Sequence, residues 1–87
     1  MIINISINLE DFKAWNEAKH TLTVLKDLEF NRHISALTTI EDLLANENPN
    51  GISGQDLNDF LSFEQDTIAN WLNFEWWGDL YEFAYDI

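Results

Sequence analysis

Residues 9–30 read LEDFKAWNEAKHTLTVLKDLEF and carry the strongest secondary-structure signal in the chain. Asn8, just before them, is a favourable N-cap residue, and Glu10 and Asp11 suit the first turn of a helix. Steps of three and four residues place the apolar side chains on one helical stripe. The sequence therefore predicts a helix over 9–30, with this stripe: Leu9, Phe12, Trp15, Ala18, Leu22, Leu25 and Leu28.

A second helix is predicted near residues 32–46, again from apolar residues at helical spacing. The run Asn48-Pro49-Asn50-Gly51 that follows is a strong turn signal. Because proline and glycine interrupt helices, we expect the second helix to end before this turn. Its stripe consists of Ile34, Leu37, Ile40 and Leu44.

Two serines predict the starts of two further helices. Ser53 has Asp56 three residues on, a variant of the capping box, and Ser62 has Gln65 at the same spacing. We therefore expect a third helix from Ser53 and a fourth from Ser62. Their buried faces would be Leu57, Phe60 and Leu61 in the third helix, and Ile68, Trp71 and Leu72 in the fourth.

The two ends of the chain are less uniform. Residues 2–8 alternate between isoleucine and polar side chains, which predicts a short β-strand. Residues 75–87 fit either a helix or a strand that pairs with 2–8, and the helix is favoured. The chain is thus predicted to be mostly α, a compact bundle of four to five short helices with an N-terminal β-strand at 2–8. It would be α+β if that strand pairs, and 1–87 would form a single domain.

The composition excludes several classes of function. The chain has 87 residues with 16 acidic and 4 basic side chains, a net charge of −12, which disfavours direct binding to nucleic acid or to an anionic membrane. Cysteine is absent, so disulfides and thiolate metal sites are excluded. The start lacks a cationic n-region, and no apolar run reaches the length that crosses a bilayer. We therefore expect a cytoplasmic protein.

The negative charge is concentrated in the later part of the sequence. Residues 1–32 contain five acids and all four bases, whereas residues 33–87 contain eleven acids and no Lys or Arg, a net charge of −11. If the last segment is helical, Glu75, Asp79, Glu82 and Asp86 form one acidic row. One explanation is solubility. The other is imitation of a nucleic-acid backbone that binds the cationic groove of a nucleic-acid-binding protein. The apolar row beside the acids would be Trp76, Leu80, Phe83 and Ile87.

Nine of the twelve aromatic residues lie between positions 60 and 85, more than so small a core easily buries. Adjacent Trp76 and Trp77 would point about 100° apart on a helix, so we expect at least one to be exposed. Trp77, Tyr81 and Tyr85 are equally compatible with the core and with an interface. Packing against the first helix is expected for Phe60, Phe63, Trp71 and Phe83.

Residues 54–71 resemble a helix-turn-helix, with apolar side chains where that motif makes its buried contacts: Leu57, Leu61, Phe63, Ile68 and Trp71. Asn58 and Ser62 depart from the motif, and the presumed recognition helix opens with Glu64, Gln65 and Asp66. Carboxylates there would be repelled by phosphate, so the resemblance implies packing rather than DNA recognition.

No catalytic set is present in the sequence. His20 and His33 share no metal-ligand spacing, and the chain contains no glycine-rich phosphate loop and no serine nucleophile motif. We therefore expect a protein that is not an enzyme and that needs no cofactor or metal.

The segments 57–61, 63–64 and 68–72 also resemble small acidic proteins encoded by bacteriophages. Some phage proteins of this size and charge imitate DNA and disarm host restriction or CRISPR machinery. The resemblance implies an inhibitor whose partner is a basic nucleic-acid-binding protein, a host defence nuclease or its effector complex, in the bacterial cytoplasm. The alternative is a protein-interaction module or homodimer that uses C-terminal aromatics. Candidate partner-binding residues are Asp56, Asp59, Glu64, Asp66, Glu75, Trp77, Asp79, Tyr81, Glu82, Tyr85 and Asp86.

Overall fold

The computed structural model describes residues 8–85 and places five α-helices in that range, which make up 69% of it. Every described element is a helix, turn or loop, so the prediction of a mostly α bundle is confirmed. The Cα radius of gyration is 12.6 Å, close to the ~12 Å of a compact domain of this length. The helices are α1 (Glu17–Arg32), α2 (Ala36–Glu47), α3 (Gly54–Phe63), α4 (Gln65–Trp71) and α5 (Trp77–Tyr85).

Helix α1 packs against α2, α3 and α5, and α4 packs against the same three helices. One polar link joins α1 to α4: the Gln65 side chain donates to the buried hydroxyl of Thr21, at 2.8 Å. That hydroxyl donates in turn to the carbonyl of Glu17 at 3.2 Å, so its burial is compensated by hydrogen bonds. The largest fully buried apolar side chains are Leu9, Val24, Leu25, Leu28, Ile40, Leu44, Leu61, Ile68 and Leu80.

The first helix begins at Glu17, so the prediction of a helix over 9–30 is wrong in its first part. Asn8 does act as a cap, but its side chain accepts two backbone N–H bonds, at 3.1 and 3.3 Å, that close only a local turn. Asn16 then adopts φ 57° and ψ −135°, outside the helical region. The local turn closed by Asn8 and the non-helical backbone of Asn16 therefore keep the segment between them out of the first helix.

Long-range hydrogen bonds hold the segment before α1 in its non-helical path. The backbone N–H of Leu9 donates to the Glu41 carboxylate at 2.7 Å. The N–H of Trp15 donates to the buried side chain of Asn58 at 2.9 Å. A helix over 9–30 would have bonded the N–H of Trp15 internally, whereas the N–H of Leu9, at its first residue, would have had no partner within the helix. Distant residues satisfy both groups here, and the sequence pattern does not reveal them.

The middle helices follow the predictions closely, with shifts at their starts. Helix α2 begins at Ala36 rather than near residue 32. Ser53 is the N-cap of α3, and its hydroxyl accepts the N–H of Asp56 at 3.1 Å, as predicted. Ser62 does not start the fourth helix, because α3 continues through it and α4 begins only at Gln65.

The C-terminal segment is helical, so the favoured interpretation of residues 75–87 is confirmed over α5 and the strand alternative is wrong there. The predicted strand at 2–8 falls almost wholly outside the described residues, and Asn8 itself lies in a loop. Asp86 and Ile87 also lie outside the described residues.

The buried face of α5 differs from the predicted apolar row. Leu80 and Ala84 are buried, whereas Trp76 and Phe83 are 57% and 44% exposed. Phe63, which was expected to pack against the first helix, is 77% exposed. The core therefore uses a small residue, Ala84, where α5 approaches α1, and leaves larger aromatic rings outside.

We expect Asn16→Gly to stabilise the protein by about 1 kcal/mol, because a φ of 57° with a ψ of −135° strains a residue that carries a Cβ. Asn16→Ala keeps the Cβ and should give no such gain. Thermal unfolding followed by circular dichroism measures both variants. A glycine variant that is no more stable than the alanine variant would contradict this assignment of strain.

Candidate functional site

Helix α5 is held at both ends by side chains from other helices. At its start, the Asp66 carboxylate accepts the N–H of Trp77 at 3.0 Å. At its end, Asn31 donates to the carbonyl of Ala84 at 3.0 Å, and Arg32 Nε donates to the carbonyl of Phe83 at 2.8 Å. These bonds satisfy backbone groups that a helix end leaves free. They fix the position of α5 against α1 and α4.

Four carboxylates gather along α5, and we call Asp66, Glu75, Asp79 and Glu82 the α5 acidic face. Asp66 is anchored on Trp77, and Glu75 and Asp79 each lie two residues from that tryptophan. Asp79 and Glu82 are one helical turn apart on α5. Asp66, Glu75 and Glu82 are exposed, and Asp79 is half-buried. These carboxylates thus extend from the start of α5, where Asp66 binds, to Glu82 near its C-terminal end.

The predicted acidic row is only partly present among the described residues. Glu75 lies in the bend before α5, and Asp86 lies outside the described residues. Asp79 occupies the first turn of α5, where the helix dipole favours a carboxylate. Asp79 therefore stabilises α5 through the helix dipole, whereas Glu82, closer to the C-terminal end of the helix, does not.

The other predicted acidic residues lie on α3 and at the α3–α4 junction. Asp56 is exposed in the first turn of α3, and Asp59 is half-buried and accepts from the Gln55 side chain at 3.1 Å. Glu64 is exposed between the two helices and accepts from the Thr67 hydroxyl at 3.1 Å. Glu64 and Asp66 also border a shallow concavity beside the exposed ring of Phe63.

The aromatic side chains of α5 separate into an inner and an outer set. Trp77, Tyr81 and Tyr85 are half-buried and pack against the core. Trp76 is exposed, as expected for one member of the tryptophan pair. Its indole lies so close to Gly78 that a Cβ there would overlap the ring. The lack of a side chain at Gly78 therefore lets the Trp76 indole lie against the start of α5, beside the acidic face.

Tyr85 has a structural role that sequence reasoning did not assign. Its hydroxyl donates to the Asp27 carboxylate at 2.5 Å, which joins α5 to α1. Burial, together with this hydrogen bond and the negative charge of Asp27, raises the pKa of Tyr85 from 10.0 to about 12. The Tyr81 ring packs between Tyr85 and His20, with ring centroids 4.9 and 6.3 Å away.

Tyr85→Phe removes this hydrogen bond and should lower the free energy of unfolding by about 1–2 kcal/mol at neutral pH. Because folding raises the pKa of Tyr85, its contribution is complete below pH 10 and is lost as the pH rises through about 12. Urea unfolding of both proteins at several pH values measures the difference. A difference that stays constant up to pH 12 would contradict the assignment.

Other carboxylates also serve the fold. The Glu29 carboxylate accepts the N–H of Leu37 in the first turn of α2, at 2.6 Å, and Glu41 accepts from Leu9 as described above. Part of the acidic composition is therefore accounted for by hydrogen bonds to backbone groups. Sequence reasoning treated the acids mainly as a charge count and missed these partners, since they lie far apart in the chain.

Three of the four basic side chains are gathered in one place. Lys13, Lys19 and Lys26 line one concavity of about 360 Å³ beside Phe12. Lys19 and Lys26 lie on a different face of α1 from His20 and Asp27, which contact α5. Arg32 lies at the end of α1, over the Phe83 ring at 4.7 Å. Three of the four basic side chains therefore share one concavity, and the fourth, Arg32, lies against α5.

No protein family, curated protein or solved structure matches this chain. Within residues 8–85, no helix combines the length and the apolar character needed to cross a bilayer. The same range contains no group of three or more His, Cys, Asp or Glu side chains arranged to hold a metal ion.

Proposed function

We propose that this chain is a small acidic inhibitor that binds the cationic nucleic-acid-binding surface of a host defence nuclease or of its targeting complex, as a partial mimic of DNA or RNA. The observation that carries the proposal is the net charge of −11 over residues 33–87, together with the four carboxylates of the α5 acidic face, of which three are exposed and Asp79 is half-buried. The defence target and the phage origin rest on the resemblance to acidic phage proteins.

The magnitude of the charge suits such a mimic. Duplex DNA carries one negative charge per roughly 1.7 Å of its axis, so twelve net charges correspond to about 20 Å of duplex. Carboxylates one helical turn apart, such as those of Asp79 and Glu82, are spaced by about 5–6 Å, near the phosphate spacing of one strand. A groove lined by Arg and Lys would therefore meet a comparable density of negative charge.

The grouping of three lysines on and before α1 supports a preferred orientation of binding. The lysine concavity on α1 would be repelled by a cationic groove, whereas the α5 acidic face would be attracted to it. Exposed Trp76, beside the acidic face, supplies a ring on which a partner's arginine could stack. Charge would thus steer the encounter, and Trp76 would add contact area.

Affinity capture from a nuclease-treated bacterial lysate tests the proposal. With the protein immobilised at about 50 mM salt, we expect nucleic-acid-binding proteins to be enriched and to elute as salt rises above about 200 mM. Mass spectrometry identifies them. The proposal would be contradicted if no such protein is captured at low salt, or if the amount captured does not fall as the salt concentration rises.

The exposed apolar rings favour a second candidate, a protein-interaction module or homodimer in which the acids provide solubility. The side chains of Phe30 and Phe63 are 82% and 77% exposed, so they contribute little to the core and leave apolar surface in contact with solvent. Sedimentation over a wide concentration range separates the candidates. Self-association that Phe63→Ser abolishes would support the second, whereas a monomer at all concentrations would exclude the homodimer.

A further inference from the structure

A groove lies between the end of α2 and the faces of α3 and α4, and none of the residues that line it belongs to the α5 acidic face. Its volume is about 430 Å³, within the range of pockets that hold small ligands or single side chains. Half-buried Ile52, Phe60 and Trp71 contribute apolar surface, and the exposed carboxylates of Glu47 and Asp56 border it. The groove thus combines an apolar wall with two negative charges.

The aromatic wall is ordered by its own packing. The rings of Phe60 and Trp71 stack with centroids 5.3 Å apart and planes 28° apart. Because the two rings come from α3 and α4, this stack fixes one side of the groove relative to the other. A flat cationic group meets a preformed surface here, which lowers the entropy cost of binding.

The electrostatics of the groove favour a cation. Glu47 is the last residue of α2, at the end of the helix where the dipole disfavours a carboxylate, and the last turn of α2 has no basic residue. Between residues 8 and 85, neither the Glu47 nor the Asp56 carboxylate has a hydrogen-bond partner. Residues 33–87 contain no Lys or Arg, so that part of the chain has no cation of its own to fill the groove.

We propose that this groove accepts an arginine side chain of the partner. The guanidinium would lie against the Trp71 ring and donate hydrogen bonds to Glu47 and Asp56. Arginine fits better than lysine because its planar group stacks on aromatic rings and donates to two carboxylates at once. The inference rests on the proposed function, since it assigns to that basic partner one specific contact.

The probe is the blocked tripeptide acetyl-Gly-Arg-Gly-amide, compared with its lysine and citrulline analogues. The chain has four tryptophans, so its indole N–H groups give four NMR signals, and Trp71→Phe identifies the relevant one. We expect the arginine peptide to shift the Trp71 signal saturably. The lysine peptide should bind at least about threefold more weakly, and the uncharged citrulline peptide weaker still.

A matched pair of variants separates the groove from the overall charge. Glu47→Gln/Asp56→Asn should weaken binding of the arginine peptide at least about tenfold. Glu17→Gln/Asp42→Asn changes the net charge equally at exposed positions of α1 and α2 that do not border the groove, and should retain binding. Thermal unfolding confirms that both variants are folded.

Three outcomes would overturn the inference: an unmoved Trp71 signal, equal shifts with all three peptides, or equal weakening in both double variants. The peptide titration needs no natural partner, so it is independent of the capture experiment. Peptide binding without capture of nucleic-acid-binding proteins would count against the proposed function and leave the groove assignment standing. Capture of nucleic-acid-binding proteins without peptide binding would count against the groove assignment and leave the proposed function standing.

Discussion

Leu80→Ala is expected to lower the free energy of unfolding by about 2–5 kcal/mol, the usual cost of truncating a fully buried leucine. Leu80 is completely buried in α5, which packs against α1 and α4. The cavity would lie under the helix that carries Asp79 and Glu82. A small domain has only about 5–15 kcal/mol of stability, so this substitution would loosen α5 and with it the acidic face.

Urea unfolding followed by circular dichroism measures the effect of Leu80→Ala. Phe30→Ala is the control, because that ring is 82% exposed and its loss should change stability by no more than about 0.5 kcal/mol. A loss for Leu80→Ala no larger than that of the control would contradict the position of α5 in the core.

The double variant Asp79→Asn/Glu82→Gln is expected to weaken binding to a captured partner at least about tenfold at about 50 mM salt. It removes two charges of the α5 acidic face while keeping the shapes of the side chains. Loss of Asp79 also removes a favourable interaction with the dipole of α5, so stability should fall slightly. The difference in affinity between this variant and the wild type should shrink as the salt concentration rises, because salt screens the attraction of both carboxylates to the partner.

Glu17→Gln/Asp42→Asn is the matched control for this experiment, because it removes the same charge and Glu17, like Asp79, lies in a first turn. Titration calorimetry with the purified partner gives the affinities. If both double variants lose affinity equally, total charge rather than the α5 acidic face determines binding.

Local patterns in the sequence predicted the helices well where neighbouring residues determine them. The cap at Ser53 and the helical C-terminal segment follow from residues close together in the chain. The start of α1 could not be predicted in this way. It depends on the backbone of Asn16 and on the bond from Trp15 to Asn58, a residue far along the chain.

The candidate site was predictable in its charge but not in its geometry. Counting acids indicated an anionic region, yet the bonds of Asp66 to Trp77 and of Asp27 to Tyr85 require the packed helices. The groove at Glu47 gave no sequence signal, because its two carboxylates come from different helices.

Competition with nucleic acid for the captured partner tests the central claim most directly. Labelled DNA or RNA is bound to the purified partner at low salt, and its fluorescence anisotropy is followed as this protein is added. We predict that the anisotropy falls to that of free nucleic acid, with Asp79→Asn/Glu82→Gln requiring higher concentrations. Anisotropy that stays constant or rises while the protein binds would mean that it occupies another surface, and would contradict the claim that its carboxylates replace phosphates.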